Sequence, residues 1–293
     1  MSGARGRVAV VGAGLGGLSA AISLAAAGRE VDVYERGAGP GGKAGTESLS
    51  GYRFDTGPSL LTMPWVFERL FAQAGATFSE RVDLRPLSTV CRYFWSDGPR
   101  FDAPGSPEEF IARAGGTFGE PEANLQRFFE RARRIYEITG HLFLEKSLHE
   151  WKTMFSEGFF RSLLQIGRID SMRSLHAANA ATFDDPRLVQ LFDRYATYNG
   201  SSPFLTPATM AIIADVEYRG GAYALGGGIY SLPRALEELA REIGVRFYYE
   251  TPVERIRANP ATRRVAGIEA AGEKIGYEVV VSNVDVSVTY PDL

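Results

Sequence analysis

One short run decides most of what this chain can be: GAGLGG, residues 12–17, between an apolar strand and an apolar helix. The sequence predicts strand Arg7–Val11, then a turn in which each glycine has a physical task. Gly12 permits the tight strand-to-helix turn, Gly14 lets the backbone approach a diphosphate, and Gly17 lets the helix pack close to the strand. A diphosphate on such a turn meets the unpaired N–H groups and the positive end of the helix dipole. Leu15, Leu18, Ala21, Ile22 and Ala25 form an apolar helical face, and Gly28 is a C-terminal stop. Glu35 ends the next strand, Val31–Glu35, where a carboxylate accepts hydrogen bonds from a ribose diol. Strand, glycines, helix, strand and acid in register read as a dinucleotide-binding βαβ unit. A signal peptide or membrane span would not carry the glycines at 12, 14, 16 and 17 within its apolar stretch.

With 293 residues the chain can bury a sizeable core in one large or two modest domains. A formal charge of -3 and no long basic run argue against a nucleic-acid partner. The lone Cys91 leaves no internal disulfide and fits a reducing cytoplasm. His141, His149 and His176 lack paired-ligand spacing, so no metal is expected.

After Glu35 the stretch 36–48 reads as glycine-rich loop. Trp65–Gly75 reads as an amphipathic helix ended by glycine. Val82–Leu87 and Thr89–Trp95 are strand-like, with a turn at Asp97–Gly98 and a return at Arg100–Phe101. Ser106–Pro107–Glu108–Glu109 carries a cap, a first-position proline and first-turn acids. Helical texture continues over 122–147, 151–169 and 187–198, then a loop, 201–207, precedes a short helix. Arg246–Glu250 is a strand. Val253–Arg257, Val265–Ala270 and Lys274–Gly276 form a small antiparallel meander, and Glu278–Ser282 has the apolar run of a strand buried on both faces of a parallel sheet.

Three further segments carry a resemblance. Gly41–Gly42–Lys43, the run FDTGPS at 54–59 and the stretch 182–209 resemble the flavin-dependent oxidoreductases that include amine oxidases, protoporphyrinogen oxidases and carotenoid desaturases. Within that group, 182–209 and 220–245 are most similar to phytoene-desaturase-type enzymes and their hydroxycarotenoid 3,4-desaturases. Lysine at 43 replaces the commoner arginine, keeping the charge but losing the bidentate fork. The resemblance implies an α/β fold: a Rossmann-like FAD-binding domain of the amine oxidase type, with an inserted α+β, mostly helical substrate domain. It implies FAD against Gly12, Gly14, Leu15, Gly16 and Gly17, Glu35 and Arg36, Gly42 and Lys43, and Gly57, Pro58 and Ser59, with Val253 at the adenine. The expected organisation is 1–85 and 225–293 for FAD and 86–224 for substrate.

The activity so implied is desaturation of an acyclic carotenoid such as phytoene or a hydroxylated relative, with hydride passing to flavin and electrons on to oxygen or a quinone. A different flavin oxidase or isomerase of the same superfamily, and a non-catalytic FAD-binding fragment, remain as alternatives. Family members continue past the point matched by Leu293, so this chain is expected to be the first part of a longer member, binding FAD weakly and desaturating nothing by itself.

A polyene calls for a long apolar groove. Phe128, Phe129, Phe143, Phe155, Phe159, Phe160, Leu163 and Leu164 are candidates for its wall, or else ordinary helix-packing core. Trp151, Phe155, Phe159, Leu163 and Ile166 form one stripe that suits either an interfacial helix or burial under neighbours. The expected location is cytoplasmic, with peripheral contact on the inner face of the cell membrane. Asp193, Arg194, Tyr195 and Tyr198 either face a pocket or lie on a solvated helix face, and no side chain singles itself out as catalytic.

Overall fold

In the computed structural model, which describes residues 6–143 and 169–293, the glycine turn joins strand β1 (Val8–Val11) to helix α1 (Leu15–Ala26), and strand β2 (Val31–Tyr34) follows. The chain divides into two compact units, Met1–Arg85 with Tyr223–Leu293, and Pro86–Ala222.

The first unit is built on a four-stranded parallel sheet in the order Val279–Ser282, β1, β2, Arg246–Tyr248. Strand side chains alternate between faces. Val8, Val10, Val31 and Val33 pack with Leu18, Ala21 and Ile22 of α1 and with Leu232, Leu236 and Leu239 of helix Ser231–Glu242. Ala9 and Tyr34 point the other way, onto Ile268, Ala270 and Tyr277. The latter face is covered by the antiparallel meander Val253–Asn259, Arg264–Ala270, Glu273–Ile275. Each fully buried Leu or Ile in these layers contributes roughly 1.5–3 kcal/mol of transfer free energy. Gly28, at φ +81°, ends α1 in a conformation that few side chains adopt.

Two readings of this unit need correction. Thr46–Leu49 is a strand, not loop, paired antiparallel with Tyr52–Asp55. Ser50 and Gly51 between them both have positive φ, 51° and 82°, the geometry that matches strand twist in a two-residue hairpin. The run ending at Ser282 lies at the sheet edge beside β1, with Val279 exposed and Val280–Ser282 half-buried. A run of valines suits an edge as well as a centre, so composition did not separate them.

In the second unit, Thr89–Phe94 and Arg100–Pro104 form an antiparallel hairpin. Helix Pro107–Phe118 starts at Ser106, whose hydroxyl accepts from the Glu109 N–H. Helices Glu122–Phe143, Leu175–Ala180, Pro186–Asp193 and Ile212–Arg219 follow. Glu120, 4% exposed, accepts from the Asp184 and Asp185 amides, satisfying donors just ahead of helix Pro186–Asp193. The expected helix 187–198 changes winding at Arg194 and runs as a 3-10 helix to Asn199.

The aromatic core of this unit corrects the groove-wall reading of Phe128 and Phe129. They are 1% and 2% exposed, packed among Phe110, Phe192 and Tyr218, so they are helix-packing core. The side chain of Phe143, residues Phe155, Phe159, Phe160, Leu163 and Leu164, and the stripe 151–166 lie outside the described residues. Among the described residues no helix is long and apolar enough to cross a membrane.

Candidate functional site

The C-terminal ends of the parallel strands are where loops converge, and three separate sequence motifs meet there. Gly12 has φ +96°, which an L side chain rarely adopts. A Cβ on Gly17 would collide with the Gly12 carbonyl oxygen, so the close approach of α1 to β1 depends on the missing side chain. The Gly41 N–H donates to the Ala13 carbonyl at 2.9 Å, which lays the second motif along the first. Gly42, at φ +56°, has room for a Cβ only 3.2 Å from the Gly14 Cα. Gly57 comes so close to the Lys43 carbonyl that a Cβ there would clash, which brings in the third motif. Pro58, Ser59, Arg36 and Lys43 are exposed, and Leu15 is half-buried.

Glu35 holds this end of the sheet together. Its Oε2 accepts from the Ala13 N–H and its Oε1 from the Gly37 N–H, both at 2.8 Å. A carboxylate has about four acceptor positions, so two further donors can still be received. The Glu35 carbonyl accepts from the Thr251 N–H, and Val253 begins the adjacent meander. The acid and Val253 are thereby placed at the same end of the sheet.

Asn283 has a larger part here than its sequence position announced. It follows the edge strand, and its carboxamide lies over the glycine turn: a Cβ on Gly16 would meet its Nδ2 at 2.5 Å, and one on Gly14 its Oδ1 at 3.2 Å. The usable signal was a polar residue directly after a valine run that pairs with β1. A carboxylate and a cation also come within electrostatic reach of each other. The Asp285 carboxyl is held below its ordinary value, first by hydrogen bonds from Ser287 and further by the Lys43 ammonium. Tyr230 packs against the loop, its hydroxyl 3.1 Å from where a Gly39 Cβ would stand.

This geometry suits a dinucleotide: backbone donors at a helix N-terminus, glycines where a diphosphate needs close approach, and a carboxylate with free acceptor capacity. The candidates of the second unit behave differently. Asp193 accepts from Asn179 Nδ2 at 2.9 Å and contacts His176 Nδ1 at 2.6 Å. Arg194, Tyr195 and Tyr198 all turn to Glu217. Tyr195 is fully buried, which overturns the solvated-face reading for it.

The pattern of the flavin containing amine oxidoreductase family matches residues 15–292. The chain is 38% identical over 287 residues to a 1-hydroxycarotenoid 3,4-desaturase of Flavobacterium sp. (strain P99-3), covering 97% of this chain and 57% of that protein. It is 36% identical over 286 residues to a hydroxyneurosporene desaturase of Rubrivivax gelatinosus, covering 96% and 54%. The chain thus spans a little over half the length of these relatives. Among solved structures, an oxidoreductase from Methanosarcina mazei superposes with a TM-score of 0.62 at 20% identity, over 97% of this chain and 60% of that one. Putrescine oxidase bound to putrescine superposes with a TM-score of 0.61 at 17% identity, over 97% and 59%. At those identities the two structures speak for the amine oxidase-like α/β fold alone.

Proposed function

Because this chain belongs to the flavin containing amine oxidoreductase family, we propose that it forms the FAD-binding and part of the substrate-binding portion of an enzyme that desaturates an acyclic carotenoid. The observation that carries the cofactor reading is the convergence of Gly12–Gly17, Gly42 and Glu35 at one end of the parallel sheet. The substrate reading rests on the relatives that act on hydroxylated carotenoids.

In this reading Gly12, Gly14, Leu15, Gly16, Gly17, Gly42 and Lys43 hold the diphosphate. Glu35 holds the ribose, with Arg36 beside it and Val253 at the adenine, while Gly57, Pro58 and Ser59 run near the flavin ring. When bound, FAD supplies the hydride acceptor for the carbon-carbon bond being oxidised. Residues 86–224 supply substrate-binding surface. A polyene dissolves in lipid, so the protein works at a membrane surface, on the cytoplasmic side.

Replacing Glu35 with alanine removes charge-assisted hydrogen bonds to the ribose worth ~1.5–3 kcal/mol, so FAD should bind roughly ten- to a hundredfold more weakly. The Ala13 and Gly37 amides also lose their acceptor. Titration of the full-length protein with FAD reads the first effect, and equal affinity of parent and variant would remove Glu35 from the site. The function itself is tested by mixing the flavin-loaded full-length protein anaerobically with phytoene or a hydroxylated acyclic carotenoid. Bleaching of the flavin absorbance with a new conjugated double bond in the pigment is the expected result. A flavin that stays oxidised with every polyene, yet bleaches with an amine, moves the protein to another branch of the family.

A further inference from the structure

The second unit contains a polar cluster inside an otherwise aromatic core. Glu217, 1% exposed, lies on helix Ile212–Arg219. It accepts from Tyr195 Oη and Tyr198 Oη, both at 2.6 Å, and from Arg194 Nη2 at 3.2 Å. The 3-10 winding explains the pair of tyrosines, since residues three apart eclipse in that helix and both reach one carboxylate. The Arg194 guanidinium sits between rings, 4.7 Å from the centre of Tyr195, 5.7 Å from Tyr93 and 5.9 Å from Tyr198. Tyr198 is 48% exposed, so the cluster opens to the surface of its own unit there.

Donors and acceptors do not balance in this cluster. The buried hydroxyls of Tyr93 and Tyr218 and the Nε of Arg194 have no hydrogen-bond partner, and Tyr218 is 2% exposed. A buried polar group left unpaired costs about 1–3 kcal/mol, so three such groups in one cluster favour an oxygen that accepts from two of them. Glu217 receives three donors and has about four acceptor positions, which leaves one free. The group that fits is one that accepts and donates at the same time. A hydroxyl does both, whereas a hydrocarbon end does neither.

We propose that Tyr93, Arg194, Tyr198, Glu217 and Tyr218 form a recognition site for the terminal hydroxyl of the polyene substrate. This rests on the carotenoid reading above and adds the place where a hydroxylated carotenoid is told from its unhydroxylated counterpart. Tyr198 marks the entry, Glu217 accepts a hydrogen bond from the hydroxyl, and the hydroxyl oxygen, with two lone pairs, accepts from two of the three unpaired donors of Tyr93, Tyr218 and Arg194. Discrimination is strong in such a site because an analogue without the hydroxyl leaves those buried groups unpaired. Water in the same position is the competing occupant.

The test uses the flavin-loaded full-length protein and two acyclic carotenoids that differ only in one terminal hydroxyl, presented in detergent micelles. The readout is the ratio of their dissociation constants, because general damage to the fold moves both affinities together. The parent should favour the hydroxylated polyene by about tenfold or more, the equivalent of one well-made buried hydrogen bond. Glu217→Gln and Tyr218→Phe should each bring the ratio to within about twofold of unity. Tyr198→Phe, at the half-exposed entry, provides a variant with little risk to folding and should lower the ratio as well. A parent ratio near unity in a protein that binds both polyenes means the cluster holds water only. A parent preference that survives in folded Glu217→Gln and Tyr218→Phe places hydroxyl recognition elsewhere. Binding of neither polyene overturns the carotenoid reading and this site with it, whereas flavin bleaching with an unchanged ratio overturns the site alone.

Discussion

Substituting alanine for Gly17 is expected to abolish flavin binding by the full-length protein and to lower its stability by roughly 3 kcal/mol, the upper range for forcing atoms into a packed interior. The magnitude follows from what the new Cβ meets. It would lie well inside contact distance of the Gly12 carbonyl oxygen, with the Gly12 carbonyl carbon 3.1 Å away. Backbone atoms of a turn cannot swing aside as the tip of a side chain can. Either α1 lifts from β1, pulling Leu18 and Ile22 out of the core, or the turn opens and loses its donors. Gly116 provides the matching control. It lies in helix Pro107–Phe118, and nothing stands within 4 Å of its would-be Cβ. Gly116→Ala should therefore stabilise by about 0.5–1 kcal/mol through the lower entropy of the unfolded chain. Urea midpoints and flavin absorbance of both variants beside the parent make the comparison. If Gly17→Ala binds flavin and unfolds at the parental midpoint, the contact between α1 and β1 is not what the glycine protects.

The reasons some features were legible in the sequence, and others not, are physical. Gly12, Gly17 and Gly28 each answer a steric demand created within a few residues, so β1, the turn, α1 and β2 follow from neighbours in the chain. Ser106 with Pro107 is similar, since a helix cap needs only the amides that follow it. The Ser50–Gly51 hairpin was local too, yet the glycine-rich context around it read as loop. Asn283 at the glycine turn depends on which strand pairs with β1, a contact between ends of the chain. The Glu217 cluster unites three distant segments. Its tyrosines were visible as candidates, but the carboxylate that binds them was not, because nothing local marks a buried glutamate. Phe128 and Phe129 show the limit of periodicity: an aromatic stripe has one appearance whether it lines a groove or fills a core.

Burial makes the ion pairs of Asp32 costly to break, and Asp32→Ala is expected to cost ~3–5 kcal/mol. This carboxylate is 1% exposed on β2, beside Ala9 and Arg246 in the sheet register. Its Oδ1 accepts from Arg246 Nε at 2.6 Å, and its Oδ2 from Arg7 Nη2 at 2.6 Å and from Tyr277 Oη at 2.7 Å. The Tyr277 hydroxyl lies 2.8 Å from that of Tyr34, so the link between the meander and the edge strand is tied to β2 through one acid. The side chains of Arg7 and Arg246 are 45% and 51% exposed and can turn to water when the acid is removed, which favours the lower end of the range. Burial by itself raises the Asp32 carboxyl, but the bonds from Arg246, Tyr277 and Arg7 outweigh it and hold the group below its ordinary value of 3.8. A carboxyl depressed in the folded state adds stability that is present above that ordinary value and disappears as pH falls through the lowered one. Asp32→Asn should thus be less stable than the parent at neutral pH, and its stability should fall less steeply below pH 3.8. Urea unfolding at neutral pH and at several points below 4 measures the difference. Parallel stability profiles for parent and Asp32→Asn across that range would show that the acid is not what the two arginines and Tyr277 hold in the folded state.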